Sequence, residues 1–467
     1  MLQKTLHKLE FHKIIEKLMG CCTFQVGKDL AEALIPFETL AEAARGQQET
    51  SEAKDVLRLF PTLPLGGLRD VRSYLRKVEI GGILQPSEFL DLSGTLQGGR
   101  RLKTFIAELP PKYPLLKEQG TGIGVFRELE DKIRKCIGED AEVLDLASPE
   151  LANLRRQSKH LQAKVKDRLD NILRSSEYQK MLQDPIITVR DGRYVVPVKQ
   201  EYRSQVPGIV HDQSSSGATL FIEPMVVVEM DNELRRVLAL EKQEVERILR
   251  ELTKAVGLRL EEILYTIDTL GYLDFIFAKG KLSGQMDAGE PKLNDQGMVT
   301  IIRGRHPLIQ GKPVPVSISI GRDFDTLVIT GPNTGGKTVT LKTTGLFCLM
   351  GQAGMHVPAD EGTEVSIFQQ VFADIGDEQS IEQSLSTFSS HMTNIVNILA
   401  TVNYSSLVLL DEAGAGTDPT EGAALAMAIL TYLQKRGAKT IATTHYSELK
   451  SFAYNNSRVE NASVEFD

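Results

Sequence analysis

Asp325-Thr326-Leu327-Val328-Ile329-Thr330-Gly331-Pro332-Asn333-Thr334-Gly335-Gly336-Lys337-Thr338 is the stretch of this 467-residue chain that decides its fold. The first six residues make a short, mostly apolar run of the kind that forms a strand buried on both faces of a parallel sheet. Glycines follow at once, and residues 339–350 continue as a helix. Strand, glycine-rich loop and helix in that order aim backbone N–H groups at a helix N-terminus, where phosphates bind. Gly331, Gly335 and Gly336, with Pro332, Asn333 and Thr334 between them, let the backbone wrap the phosphates. Lys337 reaches the β and γ phosphates, and the Thr338 hydroxyl binds magnesium. ATP with Mg2+ is the expected ligand.

Two further strand candidates support this chemistry. Leu407-Val408-Leu409-Leu410 ends in Asp411-Glu412. There an aspartate orients magnesium with Thr338 and the adjacent glutamate activates water. The spacing of Thr338 and Asp411 suits neighbouring strands. Thr440-Ile441-Ala442-Thr443-Thr444 ends in His445, whose imidazole is placed to bond the γ-phosphate or the attacking water. Gly414-Ala415-Gly416-Thr417-Asp418-Pro419 reads as a loop able to face a second subunit.

Upstream the periodicity is different. Residues 1–147 read as short helices, with Pro86-Ser87-Glu88 starting one of them. Ser148 is a candidate N-cap before Pro149 and Glu150, and Leu151, Leu154, Leu161, Val165, Leu169 and Ile172 form a near-heptad stripe. A second stripe runs through Leu234, Leu238, Val245, Ile248, Leu252, Val256, Leu260, Ile263 and Ile267. Two such helices flanking one insertion pair antiparallel; an ordinary bundle is the alternative. The insertion holds β-branched runs at 186–190 and 194–198 joined by Asp191-Gly192, a hairpin signal. A loop at 214–217 and another strand candidate at 218–222 follow. At about 23 residues per helix and about 1.5 Å per residue, the arm holds its tip roughly 35 Å from its base. Residues 284–297, rich in Gly, Pro, Asp and Asn, mark a boundary before strands and helices alternate.

Hydrophobic residues at 41% and charged ones at 25% describe a globular protein of several domains. No apolar run approaches a membrane span or a signal peptide, so the cytoplasm is the expected location. The net charge of −8 excludes a uniformly basic nucleic-acid coat but leaves room for a local basic patch. Arg190, Arg193, Lys199 and Arg203 are candidates to meet phosphates, although Asp191 and Glu201 among them fit a solvated face equally well. Cys21, Cys22, Cys136 and Cys348 lack metal-site spacing, and no structural metal is expected.

The quoted loop, the Asp411 to Pro419 segment, Thr443-Thr444-His445 and Gly304-Arg305-His306-Pro307-Leu308 together resemble the MutS family of ATPases. Ile375-Gly376-Asp377-Glu378-Gln379-Ser380, the run Ser384-Leu385-Ser386-Thr387-Phe388-Ser389-Ser390-His391-Met392, and residues 210–219 are similar to its second bacterial type, MutS-two. The resemblance implies a multidomain chain: a helical core and lever (1–147), a coiled-coil arm with a β-rich clamp tip at about 185–225 (148–283), and an α/β, ABC-like ATPase domain (284–467). It implies a homodimer sandwiching two nucleotides, in which Ser386 and Thr387 approach the partner's γ-phosphate; the same pair also reads as an N-cap. Branched DNA, with suppression of recombination, or the ribosome and its RNA, with rescue of collided ribosomes, are the implied partners. The chain starts with lever-like helices and ends at Asp467, so neither mispair reading nor the family's C-terminal Smr nuclease is expected of a shortened chain. A nucleotide-dependent scaffold and a chromosome-organising coiled-coil ABC ATPase are the rivals. The second is disfavoured because its coil lies between the P-loop and the Asp-Glu strand.

Overall fold

Periodicity and caps turn into helices and strands as follows. A computed structural model describes residues 2–311, 313–331, 336–376, 384–415 and 417–464, with backbone alone for 2, 384–388 and 390. Contacts group the chain into two compact units, residues 1–70, 98–124 and 265–467, and residues 71–97 and 125–264.

In the second unit the helix Pro149–Arg174 starts as its sequence dictates, with Ser148 Oγ accepting from the Leu151 N–H at 3.0 Å. Leu151, Leu154, Ser158, Val165, Leu169 and Ile172 are its buried stripe. Its partner is the 33-residue helix Met225–Gly257. Ser148 Oγ also donates to Glu244 at 2.6 Å and Arg155 bonds Glu241 at 3.0 Å, whereas Val165, Leu169 and Ile172 share a core with Val227. The pair is therefore antiparallel. The expected second stripe is divided: one helix ends at Gly257 and another spans Leu260–Gln285. Glycine is a poor helix residue, and a Cβ at Gly257 would stand 3.4 Å from Val78 Cγ1. Val237 rather than Leu238 is buried on the longer helix.

At the far end of the pair lies an antiparallel sheet of β1 (Thr188–Arg190), β2 (Arg193–Lys199), β3 (Gly208–Gln213) and β4 (Thr219–Pro224), in the order β1-β2-β4-β3. Asp191 (φ 47°) and Gly192 (φ 72°) both take left-handed conformations, as a tight two-residue hairpin requires. β3 is an addition to the expected strands. Its register shifts between Val210 and Asp212, which removes the two-residue alternation by which a strand is recognised.

The first unit carries β5 (Lys292–Asn294), β6 (Val299–Gly304), β7 (Val316–Ile320), β8 (Thr326–Thr330), β9 (Glu364–Ser366), β10 (Gln370–Asp374), β11 (Ser406–Leu410), β12 (Lys439–Thr444) and β13 (Val459–Ser463). One mixed sheet has the order β5-β9-β6-β7, and a fully parallel one the order β10-β11-β12-β8-β13. Thus β8 and β11 are not neighbours, as their spacing had suggested; β12 lies between them.

Strand alternation splits the core of the parallel sheet in two. Leu327, Ile329, Leu407, Leu409, Ile441, Val371 and Ala373 join one cluster, and Val328, Val408, Leu410, Ala442 and Phe372 the other. The second cluster is closed by the helices Ser384–Thr401 and Pro419–Lys435, through Ile395, Ile398, Ala426, Ile429 and Leu433. The first contains Leu341, Leu346 and Phe347 of the helix Lys337–Gln352 together with Leu6, Leu9, Phe11, Ile14 and Leu18 of the helices Leu2–Lys8 and Phe11–Cys21 and the turn between them. A Cβ on Gly345 would meet Leu409 at 2.6 Å and Leu9 at 2.8 Å, so its absence permits this approach. Gln47, on the helix Leu40–Leu59, donates to Gly351 O and Met355 O at 2.9 and 2.8 Å. The contact grouping is therefore not the linear expectation of 1–147, 148–283 and 284–467: residues from the N-terminal helices complete one face of the parallel sheet.

Candidate functional site

Strand ends and one helix start build the site. β8 is wholly buried, and Gly336, at φ 78°, is the N-cap of the helix Lys337–Gln352. A glycine there leaves the first-turn N–H groups uncapped by its own side chain and available to an anion. Gly331 has φ 131°; Pro332, Asn333, Thr334 and Gly335 lie outside the described residues.

Lys337 is 1% exposed. Its ammonium donates to Gly331 O at 2.6 Å and Thr444 O at 3.4 Å, and stands 3.3 Å from His445 Nε2. Burial holds its pKa below the usual lysine range, against the opposing pull of Glu412 and Asp411. Thr338 Oγ1 donates to Asp411 Oδ2 at 2.7 Å. Two ligands at adjacent corners of an octahedron with bonds of about 2.1 Å stand about 3 Å apart, so this hydroxyl and carboxylate suit a hard, oxygen-loving cation such as Mg2+. Among the described residues no group of three or more His, Cys, Asp or Glu could hold a metal ion. A magnesium site that takes most ligands from phosphate and water needs none.

Asp411 follows β11 and its N–H donates to Asp374 O at 2.8 Å. Glu412 adopts a left-handed backbone, φ 50°, which is uncommon for a residue with a side chain. Its Oε1 lies 3.7 Å from His445 Nε2. The parallel register β11-β12-β8 thus brings Lys337, Thr338, Asp411, Glu412 and His445 together at the carboxyl ends of the strands. This is where ligands of open parallel sheets bind.

Around them stand groups that sequence reasoning passed over. Thr443 Oγ1 donates to Asp411 Oδ1 and accepts from the Glu412 N–H at 2.8 Å. Asp374, at the end of β10, takes hydrogen bonds from His391 Nδ1 and Asn394 Nδ2, both 2.9 Å, and from Lys8 Nζ at 3.4 Å. Burial works to raise its pKa, but these partners outweigh burial and lower it. The bond to Asp374 raises His391 against burial. A polar residue at the end of each apolar run, Asp374 and Thr443, is the signal that points to them. Ser386 and Thr387 fall in the first turn of the helix Ser384–Thr401 rather than at its cap; their side chains lie outside the described residues.

In and around the sheet β1-β2-β4-β3 the four basic candidates have different surroundings. Arg193 bonds Glu223 at 3.1 Å and Asp231 at 3.4 Å, both buried carboxylates. Arg190 lies over the Phe221 ring and 3.2 Å from Asp212. Lys199 Nζ donates to Lys180 O and Arg203 to Val206 O and Gly208 O, all at 3.3 Å. Among the described residues no helix is long and apolar enough to cross a membrane.

Residues 327–467 match the model of MutS domain V, the ATPase domain of its family. Along its whole length the chain is 56% identical to endonuclease MutS2 of Pelotomaculum thermopropionicum and 55% identical to that of Symbiobacterium thermophilum, covering 59% and 58% of those proteins. It is 51% identical to the putative endonuclease MutS2 of Bacillus subtilis, covering 60% of it. The chain spans about three-fifths of the length of these relatives. With the strand-end site, domain V and this identity running from end to end, the chain belongs to the MutS family, in its MutS2 branch.

Proposed function

We propose that this chain is an ATP-hydrolysing molecular clamp. The observation that carries the reading is the meeting of Lys337, Thr338, Asp411, Glu412 and His445 at the ends of β8, β11 and β12. Gly331 to Lys337 hold the triphosphate, with Lys337 neutralising its charge. Thr338 and Asp411 hold the magnesium ion, which screens the phosphate oxygens when bound. Glu412 accepts the proton of the attacking water, and His445 orients that water or the γ-phosphate. Ser386 and Thr387 belong to the contact with a second subunit's nucleotide in a homodimer.

The nucleotide state of the ATPase domain (284–467) sets the state of the arm (148–283), whose β tip meets a nucleic acid. The partner is branched DNA or ribosomal RNA in the cytoplasm, and the work done on it is suppression of recombination or separation of collided ribosomes. Arg190, Lys199 and Arg203 are the tip cations proposed to meet phosphates. Arg193, only 18% exposed and committed to two carboxylates, is assigned to holding the tip together. Strand cleavage is not part of this proposal.

The test is ATP hydrolysis and binding with branched DNA or ribosomes, at matched salt, for the parent and for Arg190→Glu/Lys199→Glu/Arg203→Glu. Stimulation by one polymer, with salt-dependent binding lost on charge reversal, supports the reading. Binding that survives the triple reversal removes the tip from it, and hydrolysis indifferent to both polymers removes the partner.

A further inference from the structure

Thr443 is buried at the end of β12, one residue beyond the last β11-β12 pair, Leu410↔Ala442. As a β-branched residue in a strand it needs no further explanation. Its hydrogen bonds do. A hydroxyl has one proton and two lone pairs, and Thr443 uses both functions on consecutive residues of a different strand end. It donates to the carboxylate of Asp411 and accepts from the backbone N–H of Glu412. Its own carbonyl accepts from the Ala413 N–H at 3.0 Å. Three successive residues, Asp411, Glu412 and Ala413, are thereby fastened to this one threonine.

The middle one of the three is the residue with φ 50°. A side chain in the left-handed region is disfavoured and persists only where neighbours hold it. The Asp411 carboxylate is shared in the same way. Oδ2 faces Thr338 Oγ1 and Oδ1 faces Thr443 Oγ1, so its plane is set from both sides.

We infer that Thr443 is a positioning residue for nucleotide hydrolysis: its hydroxyl aims the Asp411 carboxylate at the cation site and holds the strained Glu412 backbone that points the glutamate at the attacking water. The inference rests on the ATPase reading of this site. Two substitutions separate the hydroxyl from the shape of the side chain. Thr443→Val keeps the branched volume and loses both hydrogen bonds, and Thr443→Ser keeps the hydroxyl.

Three measurements on the full chain test it. Steady-state hydrolysis by Thr443→Val falls about 10–100-fold in kcat, the usual cost of losing an orienting partner, while KM for ATP moves much less. Thr443→Ser recovers most of the rate. The Mg2+ concentration needed for half-maximal binding of a fluorescent ATP analogue rises in Thr443→Val only. Without nucleotide or metal, amide exchange of a peptide covering 411–415 accelerates in Thr443→Val and not in Thr443→Ser. Parent-like kcat and Mg2+ dependence in Thr443→Val overturn the inference. So does an equal loss in both variants accompanied by faster amide exchange throughout β11 and β12, which marks a packing role alone. A parent that does not bind the ATP analogue overturns the ATPase reading itself, and the exchange measurement then still decides whether Thr443 holds the bend.

Discussion

Replacing Arg193 by Met tests whether the tip's least exposed arginine is structural. Its guanidinium lies 3.1 Å from Glu223 and 3.4 Å from Asp231, and the two carboxylates are 0% and 1% exposed. Methionine keeps the aliphatic volume and leaves two buried acids without their shared cation. Breaking a buried pair in this way costs about 3–5 kcal/mol. Two features place the cost at the low end. Arg193 itself keeps some contact with water, and His211 Nε2, 2.6 Å from Glu223 Oε2, remains as a partner for one acid. A loss of about 3 kcal/mol speeds opening of the tip about a hundredfold. Amide exchange of peptides from β2 and β4 is the assay, because melting of a two-unit chain reports no single transition.

The pH dependence provides a second signature. Burial first, then the hydrogen bond and repulsion from Glu223, raise the Asp231 pKa, while Arg193 pulls it down. Removing the arginine raises it further. An acid whose folded pKa lies above its unfolded value binds more protons in the folded state. Stability therefore falls as pH rises from the unfolded value through the folded one, and is recovered on acidification. The excess exchange of Arg193→Met, corrected for the intrinsic rate, should shrink as pH falls from neutrality. Unchanged protection of β2 and β4 at neutral pH, or an excess that grows on acidification, refutes the electrostatic argument.

Two other perturbations probe the ATPase unit. Gly345→Val puts methyl groups where Leu409 and Leu9 already stand, and should lower stability by about 1–3 kcal/mol or more, read as faster amide exchange of peptides from β11 and the helix Lys337–Gln352. His391 has a raised pKa and Asp374 a lowered one, so their pairing contributes fully below the unfolded histidine value and above the unfolded aspartate value. It is lost as pH rises through the folded His391 value or falls through the folded Asp374 value. Exchange from the helix Ser384–Thr401 should therefore show an alkaline loss of protection that His391→Gln abolishes.

Local features of the chain were legible wherever chemistry and spacing agreed. The buried strand before Gly331, the Ser148 cap and the Asp191-Gly192 turn each announce themselves through residues that few other conformations use. Contacts between distant segments are not written in this way. Nothing in Leu6 or Leu9 says that they cover a sheet made of residues more than 300 positions later. The order that puts β12 between β8 and β11 is likewise a property of the assembled sheet. β3 was hidden by its register shift, and Gly257 divided a stripe whose apolar spacing runs on without interruption. In the candidate site, Lys337, Thr338, Asp411, Glu412 and His445 could be named with roles from motifs. Thr443 and Asp374 carry only the weaker signal of a polar residue ending an apolar run, which has ordinary structural uses, and their roles emerge from their hydrogen bonds.

The central claim is tested most directly by steady-state ATP hydrolysis and ATP binding for the parent chain, Lys337→Ala and Glu412→Gln. The account predicts Mg2+-dependent turnover by the parent, loss of binding and turnover in Lys337→Ala, and retained binding with turnover reduced by about a hundredfold or more in Glu412→Gln. A turnover rate that neither substitution changes contradicts it.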